Sequence, residues 1–92
     1  LVIITGASSG IGAGIAKQFS EAGFPLGLFA RNLKAMEELS LPNSLCIETD
    51  VTDFTAVQNA VTLAEKKFGP VDYLINNAGI GYDGDFTSLS HV

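Results

Sequence analysis

Four short stretches carry residue types that do chemistry together. The first is TGASSGIG, Thr5 to Gly12, with glycines at 6, 10 and 12. Glycines at such spacing, between a strand and a helix, suit a loop that cradles phosphate. Gly6 permits the tight turn, Gly10 lets backbone approach a pyrophosphate, and Gly12 lets helix and strand pack closely. The free N–H groups and dipole of the first helical turn then favour an anion, and Ser8 and Ser9 add hydroxyl donors. An ordinary Gly-rich strand–helix turn would use the same residues. The second stretch is LFARN, where Arg31 stands without a neighbouring carboxylate. The third is Asp50-Val51, and the fourth is Asn76-Asn77-Ala78-Gly79.

These stretches need a scaffold, and the hydrophobic pattern supplies one. LVIIT is a short apolar, β-branched run that suits a strand covered on both faces. Helical spacing follows from Ser9 to Ala22 through Ile11, Ile15, Ala16 and Phe19, and Gly23 stops it. Pro25 to Ala30 reads as a second strand, with Pro25 fitting only at its start. Asn32 caps a short helix through Leu39. Ser44 to Thr49 is a third strand. Asp53 caps a helix to about Phe68, striped by Val57, Ala60, Val61, Ala64 and Phe68, and Gly69-Pro70 ends it. Val71 to Asn76 is a fourth strand. The alternation β-α-β-α-β-α-β with buried strands predicts an α/β fold with a parallel sheet and right-handed crossovers. Each of the four stretches then falls at the C-terminal end of a strand.

TGASSGIG resembles the TGxxxGxG cofactor signature of the short-chain dehydrogenase/reductase family. Arg31, Asp50-Val51 and NNAG at 76–79 follow in that family's order. The resemblance covers all 92 residues, and only the cofactor-binding half of the family's domain. It implies a Rossmann-type doubly wound sheet with strand order 3-2-1-4. It implies that Gly6, Ser8, Ser9, Gly10, Ile11 and Gly12 wrap the pyrophosphate and adenosine ribose. Asp50 would accept from the adenine amino group beside the Val51 backbone. Asn77, Ala78 and Gly79 would line the cofactor near its ribose. Asn76 or Asn77 would alternatively tie neighbouring strands together. An acidic residue at the end of the second strand would favour NAD, whereas Arg suits the 2′-phosphate of NADP. The expected cofactor is therefore NADP before NAD, with Asn32 as a neutral donor, although Arg31 also reads as a solvated surface residue.

The family transfers hydride between nicotinamide and a carbonyl or alcohol, using a Tyr-x-x-x-Lys pair and a Ser. Tyr73 is followed four residues on by Asn77 and Tyr82 by Phe86, so the pair does not occur in this sequence. The 92 residues read as a piece of a longer enzyme, cut at both ends. A non-catalytic dinucleotide-binding module is the main alternative. A sugar-nucleotide or flavin binder is a third, against which NNAG and Asp50-Val51 speak. Asp83 and Asp85 are too few for a metal site and read as loop. Ser88, Ser90 and His91 read as loop too, while Tyr82 and Phe86 border a substrate entrance by the resemblance.

Composition narrows the partners. Ten acidic and five basic residues give a net charge of −5, which disfavours nucleic acid and anionic membrane surfaces. Apolar residues make up 47 % of the chain, yet no run reaches membrane-spanning length and no signal peptide is visible. The single Cys46 forms no internal disulfide and reads as a buried small hydrophobe. It fits a reducing, cytoplasmic compartment. By the resemblance, the expected partners are a small carbonyl or alcohol substrate and further copies of the full-length chain. The fourth strand is expected to lie beside the first and to present an open edge.

Overall fold

The structure is a computed structural model and describes residues 1–77. The loop residues discussed above from Tyr82 to His91 lie outside that range. Strands β1 (Val2–Thr5), β2 (Leu26–Ala30), β3 (Ser44–Glu48) and β4 (Tyr73–Asn76) alternate with helices α1 (Gly10–Glu21), α2 (Leu33–Glu37) and α3 (Phe54–Phe68). The sheet is parallel in the order β3-β2-β1-β4, as the sequence predicts. The chain reverses direction across the sheet between β3 and β4, so β1 is central. Thr5, Phe29 and Asn76 share one register row near the strands' C-terminal ends.

Alternation along the strands divides the core in two. Val2, Ile4, Leu26 and Leu28 join Ala16 of α1 and Met36 of α2 on one face. Ile3 and Phe29 meet Ala60 and Ala64 of α3 on the other. Helices thus cover both faces, and β1 and β2 are buried along their whole length. Gly27 belongs to this packing: a Cβ there would lie 3.3 Å from Ile3 and 3.4 Å from Ala64.

Three expectations are corrected. β3 and β4 are only partly buried, because each is an outer strand of this sheet with a neighbour on one side. Ile11 leaves the apolar stripe of α1 and is 73 % exposed, because the first turn projects beyond the end of β1. Pro25 and Val71 precede their strands rather than open them. The Pro25 carbonyl still accepts the Val2 N–H at 2.9 Å, so it anchors β2 from outside.

The caps at Asn32 and Asp53 follow the sequence, whereas Ser9, expected as a donor to a ligand, caps α1. Ser9, Asn32 and Asp53 are the N-caps of α1, α2 and α3, each side chain accepting a first-turn N–H. Gly23 and Gly69, both at φ +91°, end α1 and α3 in a conformation costly for other residues. Helix α1 carries glycine at 10, 12 and 14, which disfavours an isolated helix. Packing of Ala16, Ile15 and Phe19 on the sheet holds it instead.

Candidate functional site: a cleft at the strand ends

A cavity of about 410 Å³ opens at the C-terminal ends of β1, β2 and β3. Gly6, Ser8, Ser9 and Asn77 form one wall, and Arg31, Asp50, Val51 and Thr52 form the other. In open α/β sheets this end, where the winding reverses, is where ligands enter.

The first wall is locked by hydrogen bonds. Gly6 turns the chain at φ +65°, a left-handed conformation that glycine adopts without strain. Ser9 Oγ donates to the Gly6 carbonyl at 2.9 Å and accepts the Gly12 N–H at 3.1 Å. Asn77 Nδ2 donates to the same carbonyl at 3.3 Å and to Ser9 Oγ at 3.0 Å. The Ser9 hydroxyl therefore spends its proton and both lone pairs inside the protein. Its expected role as a donor to a ligand would need that network to rearrange. Ser8 lines the cavity.

Gly12 is buried under this network. A Cβ at Gly12 would lie 2.3 Å from the Gly6 carbonyl oxygen and 2.7 Å from Asn77 Nδ2, so no other residue fits. Gly10 is the opposite case. Nothing lies within 4 Å of the position its Cβ would occupy, so no neighbour among the described residues requires glycine there. At the N-terminus of α1 the Gly12 N–H is taken by Ser9 Oγ and the Ala13 N–H by the Ser9 carbonyl. Gly10 and Ile11 are the remaining first-turn positions, where a helix presents N–H groups to an anion. The open space at Gly10, these donors and the adjoining cavity fit the pyrophosphate of a dinucleotide.

Both readings of the paired asparagines meet here. Thr5 Oγ1 donates to Asn76 Oδ1 at 3.0 Å and accepts the Asn77 N–H at 3.1 Å, which ties β4 to β1. Asn76 is thus occupied in joining strands. Asn77 braces the loop and also faces the cavity. Ala78 and Gly79 lie outside the described residues.

The second wall is charged and open. Arg31 follows β2, and its Nη2 lies 3.0 Å from Asp50 Oδ1. Their side chains are 73 % and 46 % exposed. The same carboxylate oxygen accepts the Thr52 N–H at 2.9 Å and the Thr52 hydroxyl. These two bonds first, and then Arg31, hold the Asp50 carboxyl down at about 2, so it is ionised throughout the physiological range. Val51 lines the cavity beside it. Asn32 does not line it. Its Oδ1 caps α2 by accepting the Ala35 N–H at 3.0 Å.

Sequence reasoning missed the Arg31–Asp50 pair, because the partners lie nineteen positions apart along the chain and only the parallel pairing of β2 with β3 joins them. It also missed Thr52. The Asp-x-Thr spacing was a usable signal, since an Asp side chain commonly accepts from the backbone two residues on. Cys46 is half-buried on β3 and away from this cleft. Burial pushes its thiol up and Glu37 adds to the effect, which fits a packing residue rather than a nucleophile.

Comparison with known proteins decides the family. The family model for short chain dehydrogenase matches residues 1–92. The chain belongs to the short-chain dehydrogenases. It is 39 % identical over 99 residues to 3-ketodihydrosphingosine reductase of Bos taurus, covering 96 % of this chain and 30 % of that one. The chain therefore spans under a third of the length of that relative. Among solved structures it resembles L-sorbose reductase from Gluconobacter frateurii, complexed with NADPH and L-sorbose. The TM-score is 0.78 at 37 % identity, over 87 % of this chain and 33 % of that one. It also resembles 3-ketoacyl-(acyl-carrier-protein) reductase from Brucella melitensis, complexed with NADH. There the TM-score is 0.74 at 34 % identity, over 79 % of this chain and 31 % of that one. The short-chain dehydrogenase fold is thus in place here, with a cleft at the strand ends. Relatives with either dinucleotide share it, so fold alone does not choose between them.

Proposed function

We propose that this chain is the cofactor-binding part of an NADP-dependent short-chain dehydrogenase/reductase that interconverts a small carbonyl compound and its alcohol. The observation that carries the reading is Arg31 on the wall of the cleft, at the end of β2, where no carboxylate follows the strand. The bound dinucleotide would supply the hydride chemistry. The residues of this chain bind and orient. Gly6, Ser8, Gly10, Ile11 and Gly12 shape the pyrophosphate end, with Ser9 and Asn77 holding the loop. Asp50 and Val51 border the adenine, and Arg31, with Asn32 nearby, meets the 2′-phosphate. By the family resemblance, Ala78 and Gly79 would contact the cofactor near its ribose. The Tyr-x-x-x-Lys acid/base pair would come from outside these 92 residues. Oligomerisation of the full-length protein and a cytoplasmic location belong to the same reading. Among the described residues no helix is long and apolar enough to cross a membrane.

The test is direct titration of the full-length gene product with NADPH and NADH, followed by fluorescence. NADPH is expected to bind more tightly, and Arg31→Ala should remove about tenfold of the preference, the scale of one charge-assisted contact. Equal affinities in the unmodified protein would sink the assignment to NADP. Binding without turnover of any carbonyl or alcohol would favour the non-catalytic module.

A further inference from the structure

The Arg31–Asp50 pair joins two subsites that the reading above treats separately. We propose that Asp50 is a specificity-determining residue that competes with the ligand's 2′-phosphate for Arg31, so that its carboxylate lowers the cleft's selectivity for NADP over NAD. The inference rests on the proposed contact between Arg31 and that phosphate.

The geometry identifies the partner that stays. Asp50 Oδ1 is clamped by the N–H and hydroxyl of Thr52. Arg31 is a long side chain, 73 % exposed, held by one 3.0 Å contact through Nη2. An incoming phosphate therefore moves the guanidinium and not the carboxylate. Two outcomes follow. In the first, Arg31 keeps Asp50 and offers its remaining donors, which leaves a dianion beside a fixed negative charge. Otherwise it swings to the phosphate and gives up the ion pair. Both subtract from NADP affinity, and neither touches NAD, which lacks the group. The opposite effect would be orientation of Arg31 by Asp50 for the phosphate. It is the weaker one, because an exposed pair holds a flexible side chain only loosely.

The readout is the ratio of NADH to NADPH dissociation constants in the full-length protein. Any contact between Asp50 and adenine is common to both ligands and cancels in that ratio. Asp50→Asn is expected to raise the ratio about threefold or more at low ionic strength, and less at high salt. In an Arg31→Ala background the same substitution should raise the ratio by clearly less, because only the direct repulsion between carboxylate and phosphate is then relieved. An unchanged or lower ratio in Asp50→Asn overturns the inference, and so does an equal rise in both backgrounds. If Arg31→Ala alone leaves the ratio unchanged, the NADP reading itself fails and takes this inference with it. Should Asn disturb the Thr52 turn, seen as a loss of near-UV circular dichroism, Asp50→Ser repeats the measurement with an oxygen acceptor retained.

Discussion

The two walls of the cleft are built on different physical terms. At the Gly6 wall, Ser9 Oγ and Asn77 Nδ2 spend their hydrogen bonds within the protein, and Gly12 leaves no room for a side chain. At the Arg31 wall, two charged side chains stand half in solvent and hold each other through a single contact. The first wall is part of the fold, so altering it costs stability before it alters ligand preference. The second is a surface feature, so altering it changes selectivity while the fold barely responds. Exposed pairs are worth about 0–1 kcal/mol, whereas a hard overlap in a packed interior costs several times that.

Gly12→Ala is the strongest challenge to this contrast. The new methyl would meet the Gly6 carbonyl oxygen at 2.3 Å, and that oxygen belongs to the turn itself. Helix α1 must then lift from β1, or the turn must open. A loss of about 3 kcal/mol is expected, at the upper end for overpacking, and chemical denaturation of the full-length protein would measure it. A loss under about 1 kcal/mol would mean that the wall yields, and the contrast between the two walls would collapse.

Gly10→Ala separates packing from ligand approach within the same motif. Space is open around Gly10, and Ala is the better helix former by about 1 kcal/mol. Stability should hold or rise slightly, while both dinucleotides bind more weakly because the methyl occupies the ligand's approach. Unchanged affinity would show that the pyrophosphate does not come close to Gly10.

Ser9→Ala acts on the first wall more mildly. It removes the cap of α1 and frees one Asn77 N–H. The cost should be about 1 kcal/mol, typical of an N-cap, with the ratio of NADPH to NADH affinities unmoved. A change in that ratio would show that the two walls are coupled after all.

How far the sequence reveals this site follows the same division. The element order, the parallel sheet and the caps at Asn32 and Asp53 were legible, because each is set locally by periodicity or by one side chain reaching three residues along. The roles of Gly6 and Gly12 were legible for the same reason: the strand–turn–helix unit is contiguous. The half-burial of β3 and β4 was not, because short apolar runs look alike whether a strand is central or outermost. Ile11 was misplaced because helical spacing cannot say where the sheet stops beneath the helix. The Arg31–Asp50 contact was invisible because it depends on the register of two strands and on the rotamers of exposed side chains. Fold-borne features were read, and features made across the sheet between exposed groups were not.

The smallest expected effect concerns the charge on Asp50. Its carboxyl is lowered from 3.8 to about 2, so the folded state binds the proton less readily than the unfolded chain does. Stability from the ionised form is then fully present above about pH 4 and is lost as pH falls through about 2. The sign is fixed by that order: the unfolded state takes up the proton first on acidification, and this favours unfolding. Comparing melting temperatures of the full-length protein and Asp50→Asn should show a constant difference from neutral pH down to about pH 4, and a shrinking one below it. The difference should be small at every pH, because the group is exposed and solvent screens it. Between about pH 5 and 8 the carboxylate should therefore hold Arg31 unchanged, leaving the dinucleotide preference flat in pH apart from the phosphate's own ionisation. A large pH-dependent stability difference at Asp50 would move this pair from the tunable wall to the structural one.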